Sequence, residues 1–128
     1  FDPEVSARMW LMADYLHEVR DLDLQIFPRP EEVLGWLGGG RIETLPLHRD
    51  TPDKMLGAFW AHPQWVLDPA IRAVTSGFAR QTDAVNERVA RDVKRDLESG
   101  AWDRRNGHLR TLDALDVGLR LVVGEVTG

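Results

Sequence analysis

The sequence contains no cysteine, and this absence excludes several kinds of site. Disulfide bonds, thiolate zinc sites and a cysteine nucleophile all need residues that this 128-residue chain lacks. No apolar run is long enough to span a membrane, and no segment reads as a signal peptide. The formal net charge is -5, with a pI of about 5.3, unlike the basic footprint of nucleic-acid binders. We therefore expect a cytoplasmic protein that binds neither nucleic acid nor membrane.

The composition is ordinary for a globular chain. Hydrophobic residues make up 43% and charged residues 29%, so one domain with a modest core is expected over residues 1–128. The chain begins at Phe1, directly on the helix-entry pattern Phe1-Asp2-Pro3-Glu4. We take this as a hint that residues 1–128 are a fragment of a longer polypeptide.

Three consecutive glycines, Gly38–Gly40, raise the question of a phosphate-binding loop. Such a loop needs a strand before the glycines and a helix after them, because the helix amides face the phosphate. Here the order is reversed: the predicted helix Pro30–Leu37 comes first and the predicted strand Arg41–Leu47 follows. Gly38 is therefore predicted to end the helix in a left-handed conformation, and no phosphate site is expected.

Other candidate motifs fail on their spacing. His48-Arg49-Asp50 matches part of a kinase catalytic loop, but the position that needs a metal-binding Asn holds Met55. Ser76 lacks the flanking glycines of a nucleophile elbow. The four histidines do not show the spacing of a zinc protease, so we expect no metal site. No catalytic residue can be assigned from these patterns.

Two long helices are predicted from apolar periodicity. In the first, Asp2 is a cap and an apolar stripe runs to Val19, with a connector at 21–30 that Pro28 and Pro30 keep non-helical. In the second, Gln81–Glu98, a valine or leucine recurs every four residues. Its acidic residues, including Asp92 and Asp96, alternate with arginines and are predicted to form a solvated, ion-paired face.

The last predicted element is a strand, Leu115–Val123, in which apolar residues alternate over one face. Together with Arg41–Leu47 it predicts a two-stranded antiparallel sheet in a mainly helical α+β chain. Two strands make a poor sheet alone, so we expect helices or another piece of polypeptide to cover the apolar face.

Five tryptophans are the most suggestive side chains. Phe59 and Trp60 are adjacent before the corner at His62-Pro63, and neighbours on a helix do not face the same core. One of the two is therefore expected to line a cavity or an interface.

Several short phrases follow one another in a characteristic order: Trp10-x-x-x-Asp14-Tyr15-Leu16, Phe27-Pro28, Phe59-Trp60-Ala61-His62-Pro63, Leu67-Asp68-Pro69-Ala70-Ile71-Arg72, Ser76-Gly77-Phe78, Asp96-Leu97-Glu98-Ser99-Gly100-x-Trp102 and Asp116-Val117-Gly118-Leu119-Arg120. In this order they resemble the C-terminal part of class I S-adenosylmethionine (SAM)-dependent methyltransferases that act on small molecules. The resemblance extends over nearly the whole chain.

The resemblance implies a Rossmann-like α/β parent, with SAM bound by a first half that this chain does not contain. It implies that the last strand, Leu115–Val123, runs antiparallel beside Arg41–Leu47, and that the helices cover a small-molecule acceptor. Trp10, Tyr15 and Trp60 are then expected as substrate-binding wall residues. The chain alone is expected to bind no cofactor and to be inactive. The family tends to show Asp-Gly-Phe before the Phe-Trp phrase, and this chain departs from that pattern with Asp53-Lys54-Met55.

A different class of protein also fits the sequence. The chain can be a mostly helical, non-enzymatic interaction domain, in which Leu115–Val123 pairs with its copy across a two-fold axis and forms a homodimer.

Overall fold

The computed structural model describes residues 1–125, and helices dominate that part of the chain. The α-helices are Pro3–Arg8 (α1), His17–Ile26 (α2), Pro30–Trp36 (α3), Pro69–Val74 (α4), Ser76–Ala79 (α5), Asp83–Ser99 (α6) and Ala101–Asn106 (α7). The strands are Gly40–Thr44 (β1), Leu47–His48 (β2), Ala114–Leu115 (β3) and Arg120–Gly124 (β4). A π-helical turn covers Leu11–Tyr15, and 3₁₀ helices cover Leu56–Ala61, Pro63–Leu67 and Gly107–Thr111. The prediction of a mainly helical chain with a small antiparallel sheet is confirmed.

The first predicted helix is interrupted, and the helix that follows is longer than predicted. Asp2 caps α1 as expected, since its carboxylate accepts the N–H of Glu4 at 3.0 Å. The π turn then separates α1 from α2, which continues to Ile26 through the segment predicted as a connector. The connector prediction was wrong because Pro28 prevents helix only near its own position, and no helix breaker precedes it.

Helix α3 ends at the three glycines, as predicted. The N–H of Gly39 donates to the carbonyl of Leu34 at 3.1 Å, and the N–H of Gly38 donates to Gly35 at 3.1 Å. Gly38 has a φ of 83°, so the helix closes with the left-handed cap that favours glycine. Strand β1 then begins at Gly40, which confirms the helix–glycine–strand order.

Two separate two-stranded sheets pair the two predicted strand regions in antiparallel fashion. Arg41 lies opposite Val123 in the β1–β4 ladder, and Leu47 lies opposite Leu115 in the β2–β3 ladder. The predicted strand Leu115–Val123 is nevertheless split, because Gly118 adopts a φ of 103°. The N–H of Asp2 donates to the Gly118 carbonyl at 2.6 Å, so the start of the chain docks at this break.

The predicted apolar face of that strand is only partly buried. Val117 is buried, but Leu121 is 44% exposed. Because of the break at Gly118, the inward–outward alternation of side chains in β3 does not continue into β4. The odd-numbered residues of 115–123 therefore do not all lie on one face. Helix α3 packs on β4, and a Cβ atom added at Gly124 would lie 3.1 Å from Leu37 on this side. Leu121 is three residues from Gly124, so its side chain points to the opposite face of the strand.

The core lies between α6, the π turn and the first two 3₁₀ helices. Thr82 caps α6 by accepting the N–H of Val85 at 3.2 Å, and Gly100 ends it with a φ of 83°. The fully buried side chains that meet here include Leu11, Leu16, Phe59, Trp60, Val66, Phe78, Val89, Val93 and Trp102. No helix in residues 1–125 has the length and apolar character needed to cross a bilayer.

Candidate functional site

A cavity of about 270 Å³ opens between the start of the chain, α2, the first 3₁₀ helix and α5. Most of its wall is apolar. Its lining residues are Phe1, Ser6, Met12, Val19, Leu22, Asp23, Phe27, Met55, Leu56, Gly57, Ser76, Gly77, Arg80, Gln81, Val117 and Leu119. An apolar cavity with a few polar groups is the usual form of a small-molecule site.

The π turn places one wall of this cavity. The N–H of Leu16 donates to the carbonyl of Leu11 at 2.7 Å, so one extra residue is accommodated in this turn. Met12 faces the cavity, while Tyr15 lies toward α6. Turns of this type occur frequently at functional sites, since the extra residue re-aims neighbouring side chains.

A glycine allows the close packing at the floor of the cavity. A Cβ atom at Gly77 would lie 2.9 Å from Cδ2 of Leu56, so a larger residue here requires the Leu56 side chain to shift. The sequence motif Ser76-Gly77-Phe78 therefore has a packing role, with Phe78 fully buried beneath it. Spacing alone predicted only a helix break here.

Asp23 is the one acidic residue among the described residues that line the cavity. It lies on the last turns of α2 and is half-buried. Within residues 1–125 its carboxylate has no hydrogen bond and no ion pair. Burial raises the pKa of this carboxyl above its ordinary value of 3.8, because the charged form is desolvated.

Sequence reasoning missed Asp23 because the segment was predicted to be a connector. The usable signal was the absence of glycine and proline between Asp21 and Phe27, which allows the preceding helix to continue. A continued helix turns Val19, Leu22 and Asp23 toward one side.

The three predicted substrate-binding residues lie behind the cavity, in the core. Trp10 is 4% exposed, and its indole N–H donates to the carbonyl of Trp60 at 3.0 Å. Trp60 is fully buried and donates to the carbonyl of Leu47 at 3.1 Å. Tyr15 packs edge-on against Trp10 at 5.9 Å. The structure thus brings the three together, but none of them lines this cavity, and Trp10 instead lines a second cavity beside Leu109 and Leu115. Their role toward an acceptor stays a prediction.

Phe59 and Trp60 are both fully buried. The argument that neighbouring residues do not share a core fails here, because core elements surround this 3₁₀ helix. Phe59 packs against Trp65 and Phe78, both at 5.6 Å, while Trp60 contacts Trp10 and Leu47 through hydrogen bonds.

A polar network with Tyr15 and Asp96 buried and Arg105 exposed joins the π turn to α6 and α7. The hydroxyl of Tyr15 donates to Asp96 at 2.6 Å, and Arg105 donates to Asp96 at 3.0 Å and to the Tyr15 hydroxyl at 2.7 Å. Asp96 is 9% exposed, so its prediction as part of a solvated face was wrong. The hydrogen bond from Tyr15 lowers the pKa of Asp96, while burial raises the pKa of Tyr15.

The outer charges of α6 do form the predicted exposed pairs. Lys94 lies 4.0 Å from Glu98, and Arg95 lies 3.4 Å from Asp92. Arg88 extends to Glu18 on α2 at 2.7 Å and also donates to the Tyr15 carbonyl at 3.3 Å. The Arg88–Glu18 pair joins α2 to α6, and the hydrogen bond from Arg88 lowers the pKa of the Glu18 carboxyl.

The glycines among the described residues do not form a phosphate-binding loop. Gly40 faces the Val123 carbonyl, which a Cβ at this position would overlap, so the glycine serves strand pairing. In the part of the chain that the structure describes, no strand leads through glycines into a helix.

Arg49 of the kinase-like tripeptide donates to the carbonyls of Arg110 and Leu112, at 2.7 and 3.0 Å. Residues 1–125 also contain no group of three histidine or acidic side chains placed for a metal.

Comparison with known proteins gives one informative similarity. No family model matches the chain, and no curated protein matches it. Among solved structures, it is similar to a protein from Anabaena variabilis ATCC 29413 named "Putative methyltransferase from antibiotic biosynthesis pathway". The identity is 27% and the TM-score 0.83, over 94% of this chain and 50% of that one. The chain thus spans about half the length of this relative.

Proposed function

We propose that this chain is the C-terminal, acceptor-covering portion of a class I SAM-dependent methyltransferase with a small-molecule acceptor. The observation that carries the proposal is the similarity to the Anabaena protein, which spans nearly all of this chain and half of that one. The order of sequence phrases that resembles the C-terminal part of such enzymes is an independent support. A cytoplasmic location belongs to the same proposal.

The cavity supports a role on the acceptor side. It is apolar, and its edge is formed by partly exposed Phe1, Phe27 and Met55. Such a wall binds an apolar molecule and excludes water from it, and both contribute to the rate of a group transfer. Trp10, Tyr15 and Trp60 support this wall from the core.

The cofactor enters only through the parent protein. SAM supplies the methyl group when it is bound, and among the described residues no strand leads through glycines into a helix. In this proposal the chain's own residues hold and orient the acceptor, and residues 1–128 alone are inactive.

Calorimetric titration with SAM tests the proposal. We expect the polypeptide from the complete reading frame that contains residues 1–128 to bind SAM with one site per chain. We expect residues 1–128 alone to give no binding heat. Tight binding by residues 1–128 alone, or no binding by the complete polypeptide, would contradict the proposal.

A further inference from the structure

We propose that the cavity selects an apolar acceptor that carries one hydroxyl or amine group, and that the Asp23 carboxylate accepts the hydrogen bond from that group. The inference rests on the proposed function and names the class of its acceptor. The features that carry it are the position of Asp23, its lack of a partner in residues 1–125, and the apolar side chains around it.

Asp23 is held in place by the helix that carries it. It lies on α2, whose Val19 and Leu22 also line the cavity, and Phe27 follows the helix at the edge. Phe27 packs edge-on against Phe1 at 4.7 Å, and this pair borders the same side of the cavity. The carboxylate is therefore part of the wall of the cavity.

The contrast with its neighbour Asp21 is instructive. Asp21 has a side chain that is 66% exposed and lies 2.9 Å from Arg20. Asp23 is half-buried and has no cation within 4.0 Å in the described residues. A desolvated carboxylate without a partner has an unfavourable free energy, and a ligand O–H or N–H removes that cost.

Asp23 is the acceptor of fixed charge among the polar residues that line the cavity. Arg80, the other charged lining residue, is exposed and forms no ion pair with Asp23. Ser6 and Gln81 are uncharged. A carboxylate accepts hydrogen bonds but donates none when it is ionised, so a ligand group beside it must be a donor. A volume of about 270 Å³ lies just below the usual range for ligand pockets, which fits a small acceptor.

Matched fragments test the inference on the polypeptide from the complete reading frame, labelled with ¹³C at the methionine methyl groups. Met12 and Met55 line the cavity and report binding there, whereas Met9 lines a different cavity and reports binding at that second place. The probes are 4-methylphenol, 4-methylbenzylamine, toluene and 4-methylbenzoate. We expect the phenol or the amine to bind about tenfold more tightly than toluene, and the benzoate to bind more weakly than either.

Two substitutions assign this preference to Asp23. Asp23→Asn keeps the shape and removes the charge, so we expect the preference over toluene to fall about tenfold. Asp21→Asn, on the same helix but outside the cavity, should leave the preference unchanged. If the phenol binds more tightly than the amine, the acceptor's donor group is a hydroxyl, and the reverse order indicates an amine.

Several results would overturn the inference. These are equal affinity for toluene and the donors, tightest binding of the benzoate, an unchanged preference in Asp23→Asn, or no shift at Met12 and Met55 with any probe. SAM calorimetry on the same polypeptide tests the proposed function independently of the probe affinities. Binding of SAM without a donor preference would leave the methyltransferase proposal intact and remove this inference.

Discussion

Asp96 and Asp23 show how little a local pattern says about the environment of a single side chain. Asp96 occurs in a charged helix whose spacing is typical of an exposed surface, and Asp23 occurs in a segment that was predicted to be a connector. Asp96 has two hydrogen-bond partners outside its own helix. Tyr15 lies in a turn 81 residues away in the sequence, and Arg105 lies on the following helix. Helical spacing identifies neighbours on one helix, and it contains no information on the partner across the interface. The buried environment of Asp96 was missed for this reason, whereas Asp23 was missed because its segment was predicted to be non-helical.

The Tyr15–Asp96–Arg105 network predicts a specific dependence of stability on pH. The pKa of Asp96 is lower in the folded protein than its ordinary value of 3.8, so the folded state favours the charged carboxylate. This contribution to stability is complete above the unfolded pKa and is lost as the pH falls below about 3.8, through the lower folded value. We therefore expect Asp96→Asn to destabilise the protein at pH 7, and the difference from wild type to shrink as the pH falls through this window.

Chemical unfolding at a series of pH values checks this prediction. Glu98→Gln is the matched control, since Glu98 lies on the same helix in an exposed pair with Lys94 and should give a small effect at every pH. A difference between Asp96→Asn and wild type that stays constant down to pH 3 would show that ionised Asp96 does not contribute this stability.

The elements divide into those that sequence patterns predict and those that tertiary contacts reshape. Helix α6 was predicted within two residues at its start and one at its end, because its period, Thr82 cap and Gly100 stop all agree. The π turn was not predicted, since apolar spacing through Val19 is compatible with one continuous helix. Its geometry results from packing against α6 and the buried network. Likewise Gly118 divides the last strand because Asp2 docks at its carbonyl, a contact between the two ends of the described chain.

Gly40 predicts a test of the pairing between β1 and β4. It has a φ of 139°, and a Cβ there would overlap the Val123 carbonyl oxygen. Gly40→Ala should destabilise the protein by more than about 2 kcal/mol, since the strands must separate to admit the methyl group. Amide hydrogen exchange should show the loss of protection at β1 and β4 before other elements.

Gly39→Ala is the matched control for this substitution. Gly39 also has a positive φ, 106°, but a Cβ added there would meet no atom within 4 Å. The substitution should therefore cost only the backbone strain, about 1 kcal/mol. Equal losses for the two variants would contradict the assignment of Gly40 to strand pairing.

At the scale of the whole molecule, the exposed apolar surface is the feature that one domain alone does not explain. Trp36 is 71% exposed, Leu37 50% and Leu121 44%, and they lie on α3, directly after it and on β4. Strand β4 pairs only with β1 among the described residues, so one edge stays open. An open edge beside apolar side chains requires cover, either by the rest of a methyltransferase sheet or by a second copy of the chain. The similarity to half of the Anabaena protein favours the first account.

The nucleotide sequence upstream of the Phe1 codon tests the central claim most directly. The account predicts that the reading frame stays open for about a further domain's length, roughly 100–150 codons, and encodes a strand, a Gly-x-Gly turn and a helix. A start codon within a few residues of Phe1 would contradict it. In that case the homodimeric interaction domain, paired through β4, becomes the better account of the exposed strand.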